Sequence, residues 1–223
     1  MVDAIGEVLP WAVAVAISPI PIIAVILMLF TPKANTNGPA FLVGWVVGLS
    51  LVAGIIYSLA DGTDAATDPD AASGVGWGKV VLGLLLLFLA LKQWRGRPGP
   101  GETQTMPDWM DGIDDFTPVK SLGLGVALSA ANPKNLIITA GAAASIAESG
   151  LSSGDAAVVI AVFVVVASLS VAGLVAYRLF GGDEARESLD RLRAWLGIHN
   201  AAVMTAILAV MGAKLIGDGL GGI

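Results

Sequence analysis

Six apolar runs, at residues 5–30, 40–59, 80–91, 122–146, 156–180 and 201–216, alternate with polar segments along the whole chain. A membrane-crossing helix needs about 20 mostly apolar residues at a rise of about 1.5 Å each. The pattern therefore predicts an all-α integral membrane protein with six transmembrane helices. The third run is the shortest and needs its flanks, Trp77 and Trp94 included, to reach both interfaces. Composition excludes a soluble domain: 56% of residues are hydrophobic and 13% charged, against about 45–50% and 25% in soluble domains. Few aromatic residues (6%) and 28 glycines suit closely packed membrane helices better than a β-barrel.

Other function classes fall away on residue counts. There are no cysteines, which removes disulfide exchange, Cys-ligated zinc and iron–sulfur chemistry, and the single histidine, His199, leaves no His-rich metal site. No cofactor is expected. A net charge of −6 argues against nucleic acid as a partner. The first ten residues carry Asp3 and Glu7 but no Lys or Arg, unlike the basic start of a secretory signal, so the first run is read as a retained helix.

Loop charges set an orientation. Lys33, Lys92, Arg95, Arg97, Lys120, Arg178, Arg186, Arg191 and Arg193 fall on one side, and only Lys79 on the other, beside Asp61, Asp64, Asp68 and Asp70. By the positive-inside rule the first group faces the cytoplasm, and both termini face outward across the plasma membrane. The acidic loop lacks the ligand spacing of a calcium loop and is read as solvated. Residues 183–196 form an amphipathic pattern: Ala185, Leu189, Leu192 and Leu196 recur at spacings of 4, 3 and 4. With Trp195 at its end, this segment is expected as a helix lying in the cytoplasmic interface. His199 is expected at the outer interface.

The chain divides into a first three-helix repeat (1–95), a cytoplasmic linker rich in Gly, Pro and Asp (96–116), and a second three-helix repeat (117–223). Ser18 and Asn132 stand 114 positions apart, the second spans begin 115 apart at Ala40 and Asp155, and the third 122 apart at Trp77 and His199. Three spans is an odd number, so the second half enters the membrane from the opposite side. The expectation is a 3+3 inverted repeat, an arrangement of secondary transporters with the site at the repeat interface.

The first and fourth helices are both interrupted by proline. Pro19 and Pro21 lack N–H donors and free the carbonyls of Val15 and Ile17; Pro133 frees that of Ser129. Unpaired backbone groups survive in a membrane only against protein or a wet cavity. Residues 5–30 would also span about 39 Å as a straight helix, more than the roughly 30 Å hydrocarbon core. Ser18, Asn132, Lys134 and Asn135 add side-chain polarity at the two breaks. An ionisable residue inside a membrane helix marks a functional site unless it snorkels to an interface. The candidate substrate-binding or transport residues are therefore Ser18, Pro19, Pro21, Asn132, Pro133, Lys134 and Asn135.

Six spans, Ile17-Ser18-Pro19-Ile20-Pro21 in the first and Ala131-Asn132-Pro133-Lys134-Asn135-Leu136 in the fourth resemble the LysE superfamily of small exporters, most closely its GAP/Sap branch. That branch is named for addressing glycopeptidolipids and sulfolipids to the mycobacterial surface. The resemblance covers essentially the whole chain. It implies a plasma-membrane exporter of a small amphiphile, a cell-envelope lipid, in which the two broken helices meet as paired hairpins at a central site. Membrane lipids and the amphiphilic substrate are then its partners. Amino-acid exporters of the superfamily carry Pro-Gly-Pro where this chain has Pro19-Ile20-Pro21. Export of an amino acid or small metabolite is the alternative within the superfamily.

Gly44 and Gly48 form a GxxxG pair that opens a helix to close packing, either within the chain or in a homodimer. Ser168 and Ser170 either bond carbonyls of their own helix or line a path. No intramembrane-protease motif is present (no Gly-x-Ser-Gly with a partner His, no paired membrane Asp, no His-Glu-x-x-His), so an enzyme is not expected. A second alternative is a non-transporting accessory protein that docks a lipid-synthesis or export complex through residues 183–196 and the acidic linker.

Overall fold

The computed structural model describes residues 1–61, 69–97, 99, 110 and 112–221. Most of the 96–116 linker, and Asp64 and Asp68 of the acidic loop, lie outside the described residues. Those described are helical, with no strand among them. The helices are α1 (Val2–Ala16), α2 (Pro19–Phe30), α3 (Ala34–Asp61), α4 (Pro69–Arg95), α5 (Pro118–Val126), α6 (Pro133–Glu148), α7 (Ser153–Phe180) and α8 (Gly182–Gly221). Helices α3, α4, α7 and α8 are long and apolar enough to cross a membrane, and α1 with α2, bent by 54° at their junction, makes a fifth crossing if counted as one span. This is the make-up of a multi-pass membrane protein.

Proline decides where several helices start. Pro19 and Pro133 stand at the first turns of α2 and α6, and Pro118 follows the Thr117 cap of α5, whose hydroxyl accepts from Lys120 N at 3.3 Å. The first helical position needs no N–H donor, so proline fits there without loss, whereas Pro10 and Pro39 lie inside α1 and α3 and each remove one donor from the ladder. Between α5 and α6 the chain widens into a π-helical stretch, Ala127–Ala131, where Asn132 N donates to Ala127 O at 3.1 Å.

Two expected boundaries differ. The short apolar run at 80–91 belongs to a helix that begins at Pro69, and this longer helix supplies the missing length. The amphipathic helix expected over 183–196 has no end of its own: α8 continues through it to Gly221. Nothing between Trp195 and Ala201 stops a helix, since Gly197 alone costs only about 1 kcal/mol. Ala185, Leu189 and Leu196 are buried, whereas Leu192 is exposed. His199 sits one turn beyond Trp195, stacked on its indole at 4.5 Å with Nδ1 2.8 Å from Trp195 O. The two side chains lie at one level of α8, so Trp195 at the cytoplasmic interface and His199 at the outer one cannot both hold.

Glycines bring the helices together. Helices α3 and α5 run parallel: a Cβ on Gly44 would stand 2.0 Å from Leu122 O, one on Gly48 2.0 Å from Ser129 Oγ, and one on Gly125 2.3 Å from Phe41 O. The face opened by Gly44 and Gly48 is thus occupied by α5 of the same chain. Helices α4 and α8 run antiparallel through a reciprocal contact, Gly83 against Gly212 O and Gly212 against Gly83 O, continued by Gly219 against Gly76 O. Without a hydrophobic force between helices in lipid, such backbone approach supplies the packing energy.

Candidate functional site

The centre of the molecule is the junction of α1 with α2, against the start of α6. Helix α1 ends at Ala16, and its last carbonyls must find donors outside the regular ladder. Ile17 N donates to Val13 O at 3.0 Å, and Ser18 N tightens onto Val15 O at 3.2 Å. Val15 O, expected to be freed by Pro19, is therefore satisfied locally. Ala14 O is the carbonyl that Ser18 N would have served in a continuing helix. It accepts instead from Lys134 Nζ at 2.7 Å. Ala16 O accepts from Ser170 Oγ of α7 at 2.5 Å. Two donors from the second half of the chain thus complete a helix end in the first.

Lys134 is 3% exposed. Its Nζ also donates to Ser18 Oγ at 2.5 Å, and Ser18 Oγ donates onward to Asn135 Oδ1 at 2.9 Å. Asn135 Nδ2 closes the chain on Leu128 O of the π-helical stretch at 2.9 Å. Asn132 caps α6, accepting from Lys134 N at 3.1 Å. Lys134 therefore points inward along the end of α1 rather than toward an interface. Among the described residues no carboxylate lies within 4.0 Å of its Nζ. A cation there is favoured by the partial negative charge of the α1 C-terminus.

Of the seven residues singled out in the sequence, Ser18, Lys134 and Asn135 form one buried hydrogen-bonded cluster. Pro19 and Pro21 are buried beside it at the start of α2. Asn132 is half-buried and acts as the cap, and Pro133 is exposed. The two serines of α7 divide: Ser168 Oγ donates to Val164 O of its own helix at 2.7 Å, whereas Ser170 reaches across to α1.

Sequence reasoning missed two other charges within the long apolar helices α4 and α8. Lys214, inside the sixth apolar run, pairs with Asp218 at 2.6 Å and lies 5.0 Å over the Trp11 ring. Its position within an apolar run was the available signal. Lys79, counted as a loop residue, is 2% exposed and ion-paired with Glu148 at the end of α6.

The family model for Sap, the sulfolipid-1-addressing protein, matches residues 8–221. The chain belongs to this family. No curated protein and no solved structure matches it. The family match spans both interrupted segments, so Ser18, Lys134 and Asn135 all lie within the part of the chain that defines membership.

Proposed function

We propose that this protein exports a small amphiphile, a cell-envelope lipid, by alternating access around the Lys134 centre. The observation that carries the reading is a buried lysine with no carboxylate partner among the described residues, held across two interrupted helices by Ala14 O and Ser18 Oγ. A buried ion contributes little net stability and is costly when unpaired, so a membrane-embedded lysine without a counter-ion is best explained by use. Membership of a family named for addressing a sulfolipid supports a lipid as the cargo.

The finer architecture belongs to the same proposal. Six crossings are formed by α1–α2, α3 and α4, and by α5–α6, α7 and α8, as two inverted halves. The antiparallel α4–α8 pair, and the equivalent roles of Ser18-Pro19 and Asn132-Pro133 at the starts of α2 and α6, support that pairing. The Lys- and Arg-rich side faces the cytoplasm and both termini face outward, on the loop charges. Ser18, Lys134 and Asn135 take the polar part of the cargo, and Pro19, Pro21, Asn132 and Pro133 hold the half-helix ends in place.

The test compares surface-extractable lipid, total lipid and intracellular amino acids in a deletion strain carrying wild type or Lys134→Ala. A lipid lost from the surface but still synthesised, and restored only by wild type, is the expected result. Accumulated amino acids with unchanged surface lipid would replace the lipid reading by amino-acid export. Full rescue by Lys134→Ala would remove the centre from the mechanism.

A further inference from the structure

A polar cavity of about 640 Å³ lies at the far end of α2, between the α2–α3 turn and the α7–α8 turn. Its volume falls in the range of small-molecule sites, about 300–1,000 Å³. Thr31, Asn35, Arg178 and Arg186 supply its polar lining, and Phe30 its apolar edge. The twelve residues of α2 separate it from the Lys134 centre by about 17 Å.

The local backbone explains why two arginines face one space. Gly182 turns the chain at φ +60°, and Ala185 packs close to Gly181, where any Cβ would meet it at 2.8 Å. This tight reversal brings Arg178, in the last turn of α7, and Arg186, in the first turn of α8, to the same cavity. Two other arginines of α8 are already matched, Arg191 with Glu187 at 3.2 Å and Arg193 with Asp190 at 2.9 Å, while Glu184 is exposed and makes no ion pair among the described residues. Arg178 and Arg186 have no such partner among the described residues. Arg178 Nε is buried without a hydrogen-bond partner, and the Arg186 guanidinium lies 5.4 Å over the Phe30 ring. Ala34 and Asn35, at the N-terminus of α3, open on the same cavity and add the positive end of a helix dipole. Phe180, next in sequence to Leu179 of the lining, is 88% exposed.

We propose that this cavity binds the phosphate- or sulfate-bearing headgroup of an anionic lipid from the leaflet on the Lys/Arg-rich side. Planar guanidinium groups pair bidentately with such oxyanions, and a neutral headgroup could bond the free Arg178 Nε but would leave the two arginine charges unmatched. The role of the site as a loading point rests on the lipid-export reading; the binding itself does not.

The experiment titrates fluorescent phosphatidylglycerol or phosphatidylcholine into full-length protein in detergent. Wild type is expected to hold phosphatidylglycerol several-fold more tightly than phosphatidylcholine, whose choline cation offsets the charge of its phosphate. Arg178→Gln or Arg186→Gln should weaken it about fivefold each, and the double variant about 30-fold. Lys92→Gln, a remote charge control, should retain the binding and report on folding, whereas Arg178→Lys, which keeps the charge but loses the planar fork, should weaken it less than Arg178→Gln. Unchanged affinity in the double variant, or equal binding of phosphatidylcholine, overturns the proposal. Displacement by millimolar inorganic sulfate or phosphate would make a free anion the ligand and overturn the lipid assignment. A double variant that loses binding yet restores surface lipid refutes the loading role alone. The export reading itself fails only if deletion of the whole protein leaves surface lipid unchanged.

Discussion

Replacing Lys134 by methionine separates use from stability at the centre. Methionine keeps the length of the chain and removes the charged nitrogen. The loss is one donor to Ala14 O, which has no other, because Ser18 N is turned onto Val15 O. An orphaned buried carbonyl costs about 1–3 kcal/mol. The gain is relief from holding a lysine ammonium out of water with no carboxylate beside it, a penalty of several kcal/mol per ion. Ser18 Oγ keeps its bond to Asn135. The second term is the larger, so Lys134→Met should unfold at or above the wild-type Tm while abolishing export. Ser18→Ala behaves oppositely. It strips Asn135 Oδ1 of its donor and Lys134 of an acceptor, for a loss of about 1–3 kcal/mol, which lowers Tm by about 2–12 °C at this chain length. Thermal unfolding followed by tryptophan fluorescence in detergent, beside the surface-lipid assay, reads both quantities. A Tm for Lys134→Met that falls as far as that of Ser18→Ala would make Lys134 a structural brace. That result would refute the reasoning.

Three further outcomes follow from the packing. Gly44→Ala should destabilise by about 1–3 kcal/mol through overpacking, since its Cβ meets Leu122 O at 2.0 Å, whereas Gly54→Ala, with nothing within 4 Å, should be neutral or up to about 1 kcal/mol stabilising; equal Tm values would refute the α3–α5 contact. Glu148→Gln leaves Lys79 buried and unpaired and should cost about 2–4 kcal/mol, discounted for the partial exposure of Glu148; the double variant Lys79→Met/Glu148→Leu should recover most of the lost Tm. Gly182→Val should cost about 1–2 kcal/mol from the left-handed backbone alone, with no clash to relieve, while Gly182→Asn should retain most of the wild-type Tm.

What the sequence made legible was the chemistry of missing donors. Pro19 and Pro133 each open a helix, because the first helical position needs no N–H; Pro69 and Pro118 do the same but were not read from the sequence. Lys134 stood out for the same kind of reason, an ionisable group in an apolar run. Its partner did not, because the acceptor is the backbone carbonyl of Ala14, which any residue would present and which lies 120 positions away. The two serines of α7 were equally opaque, since a hydroxyl facing its own helix and one facing a neighbour differ only by helix rotation. The end of the amphipathic segment at 183–196 was misplaced because an amphipathic helix and an apolar span share the period of 3.6, and Gly197 is too weak a breaker to part them. Lys79 was misassigned through length: a run of twelve apolar residues suggested a loop nearby, whereas the helix itself begins ten residues earlier at Pro69.

The hydrogen bonds at the centre also constrain how an exporter built this way can move. Ala14 O and Ala16 O, at the end of α1, are served by Lys134 and Ser170 from the other half of the chain. If the halves rock against one another, these are bonds that must break, and each carbonyl left dry would cost about 1–3 kcal/mol. Motion is affordable only if water or a polar headgroup takes over as donor when Lys134 withdraws. Cargo with hydroxyl or amide donors can satisfy those carbonyls, whereas a plain hydrocarbon cannot. On the proposed mechanism, therefore, opening is coupled to the arrival of a polar headgroup at Ala14 O. A Ser170→Ala variant, which leaves Ala16 O in need of a donor in both states, should lower the barrier between them and raise export while lowering Tm. Reduced export together with reduced Tm would show that the bond holds the working geometry instead.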